Sequence, residues 1–200
     1  AGVSALNNAL TQLLTLLGAF VLGLVVMDED AIASYKVATT IPFALNFIPS
    51  SLMMFAYPYF ARHKNDREWV RKYYCLITFS MCLLNVFVVA GGVLLAQPII
   101  TIVFGSVYLD AVKPFQILMV GYFFGTFQSI AGNLLVTQRK LKFNLLLGIL
   151  GAVSGMVFNV VLIPQMLSIG TALSHVLTKV LLSIVSTVYF LKIVRKIPEK

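Results

Sequence analysis

Six long apolar runs, separated by short polar breaks, constrain this chain more than any other feature. A helix that crosses the hydrocarbon core of a bilayer needs about 20 mostly apolar residues. Runs of that kind lie at Asn7–Met27, Ala31–Phe60, Tyr73–Ala96, Pro114–Thr137, Phe143–Ile163 and Gly170–Val194. A water-soluble fold has too little polar surface to cover them, because 60% of the 200 residues are hydrophobic and 11% are charged. An average soluble domain carries about 25% charged residues. The runs therefore predict an all-α integral membrane domain with six transmembrane helices. The second run is long enough to tilt or kink, and Pro42 and Pro49 are its expected breaks. The stretch Pro98–Lys113 is too short to span and reads as an interfacial or re-entrant piece.

Charge placement gives a topology. The net charge is +8, from 15 Lys and Arg against 7 Asp and Glu. Twelve of the basic residues fall in three places: Arg62, Lys64, Arg67, Arg71 and Lys72; Arg139, Lys140 and Lys142; and Lys192, Arg195, Lys196 and Lys200. If six spans alternate, all twelve lie on one side. The other side carries Asp28, Glu29, Asp30 and Asp110, with Lys113 as its clear basic residue. The excess of Lys and Arg in cytoplasmic loops then puts the basic loops and both termini of this segment in the cytoplasm. The chain lacks an initiator Met, and residues 1–6 carry no basic side chain. It thus reads as a fragment that begins at a mature span rather than at a secretory leader. Cys75 and Cys82 are two helical turns apart, about 10 Å, too far for a disulfide with each other.

The polar residues inside the spans carry the functional expectation. All seven carboxylates lie in loops or tails, so the chain offers no membrane carboxylate of the kind that cation carriers and intramembrane aspartyl enzymes use. Two basic residues remain within spans, Lys36 and Lys179. Lys179 falls near mid-membrane, four residues after His175, in a row Thr171, His175, Lys179 and Ser183 on one helix face. Lys36 heads a similar row with Thr39, Asn46 and Ser50. The fourth span presents Thr126, Ser129, Asn133 and Thr137, and the first Asn8, Thr11, Gln12 and Thr15. Ionisable groups at this depth usually face a partner or a wet cavity. The expected site is a cationic cavity for an anionic substrate, lined by Lys179, His175, Lys36, Asn46 and Asn133. Snorkelling is the competing role for Lys36, and interhelical hydrogen bonding is the competing role for the Ser, Thr and Asn rows. Gly121–Gly125 and Gly151–Gly155 have GxxxG spacing, which permits close helix approach. No catalytic constellation, nucleotide-binding motif or metal-ligand spacing is present in the sequence, so the chain reads as a non-enzyme without metal or cofactor.

Phe104-Gly105-Ser106-Val107-Tyr108, followed by Ala111 and Ile117-Leu118, resembles the C-terminal half of polysaccharide biosynthesis proteins. These include the O-antigen flippases of the multidrug/oligosaccharidyl-lipid/polysaccharide exporter superfamily. Pro42 to Pro58 with Phe60-Ala61-Arg62, the turn Thr137-Gln138-Arg139-Lys140, and Asn159 to Pro164 followed by Gly170-Thr171-Ala172 resemble further pieces in the same order. The resemblance implies one six-helix lobe of a two-lobe, alternating-access transporter. Its partner would be an N-terminal six-helix lobe, absent here. Its substrate would be an undecaprenyl-pyrophosphate-linked oligosaccharide, flipped across the bacterial inner membrane for surface polysaccharide synthesis. Membrane lipid is a further expected partner, and nucleic acid is not. Two alternatives stand beside it: a multidrug or cation antiporter of the same superfamily, and a membrane enzyme acting on lipid-linked sugars.

Overall fold

The computed structural model describes residues 29–198. Among these residues the chain is helical throughout, with no strand. The elements are α1 (Glu29–Leu45), α2 (Phe47–Arg62), α3 (Arg67–Leu94), the short α4 (Ala96–Phe104), a 3-10 helix (Ser106–Ala111), α5 (Val112–Thr137) and α6 (Leu141–Arg195). Among the described residues, four helices are long and apolar enough to cross a membrane: 30–62, 67–94, 106–137 and 141–195. The protein is a multi-pass membrane protein. The expected first span, Asn7–Met27, lies outside the described residues.

Local chemistry explains the boundaries. α1 and α2 divide at Asn46, just ahead of Pro49, whose missing N–H is harmless in a first helical turn. Pro42 stays inside α1, contrary to its expected role as a break. The Asn46 amide donates back to the carbonyls of Pro42 and Phe43, both at 3.2 Å, and so ties the junction to the last turn of α1. Asp66 caps α3 by accepting the Trp69 N–H at 3.0 Å, which satisfies one of the orphan donors of the first turn. α5 ends in a Schellman turn: the Lys140 N–H reaches the Leu135 carbonyl and the Arg139 N–H that of Val136. Arg139 holds the positive-φ position, at 56°.

α6 has 55 residues, about 80 Å if straight, far more than one crossing requires. It is not straight. Leu167 leaves helical geometry (φ 51°, ψ −127°), and the chain folds back on itself there. A Cβ on Gly170 would collide with the Leu162 carbonyl, a contact that eight residues of continuous helix cannot make. Phe143 and Tyr189, near the two far ends, stack with ring centroids 3.5 Å apart. The limbs 141–166 and 168–195 are therefore antiparallel. The limb 168–195 runs parallel to α5, since His175 and Val176 face Gly121 while Lys179 faces Gly125.

Two apolar clusters mark the two ends of the bundle. One joins Tyr35, Ala38, Ile100, Phe115, Leu118 and Ile163. The other joins Phe60, Val70, Tyr74, Leu134, Leu147 and Phe190. The basic segments meet at the second end, where the Gln138 side chain donates to the Lys64 carbonyl at 3.3 Å and links two basic loops 74 residues apart. His63 stacks on Trp69 at 4.2 Å and Trp69 meets Tyr73 at 4.3 Å, an aromatic layer of the type found at membrane interfaces. Asp30, Asp110 and Lys113 lie together at the first end.

Candidate functional site: a lysine between two helices

Lys179 lies about 17 Å along the limb 168–195 from its start, near the middle of a crossing. It is half-buried, and its Nζ donates to Gln128 Oε1 at 3.2 Å. α5 presents glycine opposite the lysine stem: a Cβ on Gly125 would lie at ordinary contact distance, 3.7 Å, from Lys179 Cδ. One turn away, a Cβ on Gly121 would lie 3.1 Å from Val176 Cγ2 and 3.7 Å from His175 Cδ2. The Gly121–Gly125 spacing thus forms the seam that receives the polar row of the last limb. His175 also meets Phe43 of α1, with ring centroids 5.3 Å apart. Three helices converge on this pair.

The electrostatics follow from the residue types. A lysine ammonium has three donors and no acceptor, and Gln128 is a neutral partner for one of them. The described carboxylates occupy other places: Asp30 in the first turn of α1, Asp66 and Glu68 at the start of α3, and Asp110 in the 3-10 helix. Among the described residues, this half-buried lysine shares its limb with no carboxylate, and ionisable groups at such a depth usually face a partner or a wet cavity.

The other expected cavity residues lie elsewhere. Lys36 is exposed on α1, where Thr39 and Thr40 donate to its backbone carbonyl at 2.8 and 3.0 Å. Asn46 is engaged with the Pro42 and Phe43 carbonyls at the α1–α2 junction. The Asn133 amide donates to the Ser129 carbonyl at 2.8 Å on its own helix. Thr126 and Thr137 are buried and donate to the carbonyls of Tyr122 and Leu134. The structure thus brings Lys179 and His175 together and leaves Lys36, Asn46 and Asn133 outside that cluster. The polar row Thr126, Ser129, Asn133 and Thr137 does not include Gln128, the residue that meets Lys179. Its one signal in the sequence is a place one turn after Gly125, on the glycine face.

A second feature lies at the acidic end, a cavity of about 630 Å³ lined by Asp30, Ser34, Gln97, Asp110, Lys113 and Ser168 together with apolar residues. No group of three or more His, Cys, Asp or Glu among the described residues could hold a metal ion.

No curated protein and no solved structure matches the chain. The model of one family, described as polysaccharide biosynthesis protein, matches residues 2–113. That segment carries α1 to α4 and much of the wall of the acidic-end cavity, whereas Lys179 and Gln128 lie beyond it. Since the match covers more than half of the 200 residues, the chain belongs to the polysaccharide biosynthesis protein family.

Proposed function

We propose that the chain is a six-span lobe of a flippase that moves an anionic, lipid-linked oligosaccharide across the bacterial inner membrane. In this reading Asn7–Met27 supplies a first crossing and the two limbs of α6 count as two. The basic end faces the cytoplasm, as the excess of Lys and Arg there favours. The observation that carries the proposal is Lys179, about midway along a limb of membrane-spanning length, beside His175 and with the neutral Gln128 as its hydrogen-bond partner. A lysine ammonium binds phosphate as a point charge, which suits the pyrophosphate linkage of such a substrate. The sugars and pyrophosphate would cross along the polar face while the prenyl tail stays in lipid. Membership of a polysaccharide biosynthesis family supports the substrate class.

The test uses proteoliposomes containing a lipid-linked oligosaccharide and an impermeant sugar-cleaving enzyme outside. The chain is joined to a six-span first lobe, and access of the enzyme to the inner-leaflet pool is followed. Lys179→Ala is expected to slow flipping at least tenfold, while Lys179→Arg retains part of the rate and both variants insert normally. An unchanged rate for Lys179→Ala removes the lysine from the proposal. Movement of a cationic dye with no flipping would place the protein among drug exporters instead.

A further inference from the structure

The cavity at the acidic end has a composition that narrows what it can hold. Its volume of about 630 Å³ falls within the roughly 300–1,000 Å³ common for small-molecule sites. Six polar side chains line it, contributed by separate segments: Asp30 and Ser34 from α1, Gln97 from α4, Asp110 and Lys113 around the start of α5, and Ser168 from the reversal of α6. Part of the apolar wall comes from Met166 and Leu167.

Each ligand class meets this set differently. A multivalent anion would face two carboxylates. A divalent cation would face the Lys113 ammonium and, among the described residues, two carboxylates, where hard-cation sites gather more oxygen ligands. An apolar drug would have to desolvate six polar groups without replacing their hydrogen bonds. A neutral polyhydroxyl compound meets none of these costs. Carboxylates accept from hydroxyls, the ammonium donates to them, and the carboxamide and serine hydroxyls do both. We propose that this cavity is a carbohydrate site holding uncharged sugar residues. The backbone of Leu167 lends support: a leucine at φ 51°, ψ −127° is strained, and strained residues cluster at ligand sites. Lys179 is about 17 Å further along the same limb, so the two sites would engage different parts of one extended molecule. That last step rests on the flippase reading, whereas sugar binding by the cavity does not.

The experiment separates the two. The full chain in lipid nanodiscs is applied to an array of soluble, uncharged tri- to pentasaccharides, with helicity and monodispersity checked for every variant. A subset of glycans is expected to bind, at least tenfold more weakly to Gln97→Leu and Asp110→Asn, and unchanged to Phe79→Leu on an exposed face of α3. A folded chain that binds no glycan overturns the proposal. So does binding that Gln97→Leu and Asp110→Asn leave intact, or displacement of the glycan by calcium. If glycans bind and the proteoliposome assay shows no flipping, the cavity stands and the flippase reading falls. If flipping proceeds and both cavity variants flip at the normal rate, the step that joins the cavity to Lys179 in one extended molecule falls.

Discussion

α5 and α3 are both long membrane helices, yet they keep opposite company. The crossing that contains α5 is the least hydropathic of the four described, and more than half of its apolar window is buried. The crossing α3 is markedly more hydropathic, and about a sixth of its window is buried. In water the order would be reversed, because the more apolar helix would be driven inside. Lipid tails are as apolar as leucine, so that drive is absent between helices, and burial goes to the surface that packs closest. α5 has Gly121 and Gly125 on its seam, with Leu118, Tyr122, Thr126 and Ile130 buried beside them. α3 shows Leu76, Phe79, Leu83 and Phe87 to its surroundings.

The comparison is sharpest at glycines. Gly170→Leu should have the largest effect, because its side chain would run into the Leu162 backbone and the α6 hairpin could not close. The expected loss is about 3 kcal/mol or more, read as loss of the monodisperse protein on extraction in detergent. Normal extraction would show that the reversal can open without cost. Gly121→Leu comes next, at about 2 kcal/mol, since Val176 of the seam would have to move. Its counterpart is Gly91→Leu on α3, where a Cβ meets nothing within 4 Å and thermal unfolding should hardly change. Equal effects at the two sites would erase the distinction between the helices.

Two further variants sharpen the picture by stabilising the fold. Asn85 of α3 is fully buried, and neither atom of its amide has a hydrogen-bond partner. An unpaired buried polar group costs about 1–3 kcal/mol, so Asn85→Leu should raise stability by about 1 kcal/mol. A fall in unfolding temperature would reveal that the amide is used. Arg139→Gly should give the smallest gain, about 0.5–1 kcal/mol, by relieving a positive φ at the end of α5. A decrease would mean that the arginine charge at that end outweighs the strain.

How much was legible beforehand differs from residue to residue. The membrane character and the gathering of basic residues followed from run lengths and charge spacing, which depend on single segments. The seam glycines were legible as a spacing, and Lys179 with His175 as a pair four residues apart. Gln128 was not, because its partner is 51 residues away and no local pattern reports it. For Asn46 and Asn133 the sequence offers two roles, cavity amide or local hydrogen bonding, and each amide donates to the backbone of its own segment, as a short polar side chain on a helix can. The reversal at Leu167 was anticipated only as a gap between two apolar runs.

By itself the sequence determined the solvent of this protein, because bilayer thickness sets a length and hydrophobicity that can be counted along the chain. It also determined which segments share a charge sign, and hence which ends belong together. Tertiary structure alone decided which side chains meet. The pairing of Lys179 with Gln128, the fold-back at Leu167 and the polar cavity built from four segments depend on helix rotation and approach, which are set by packing between residues distant in the chain.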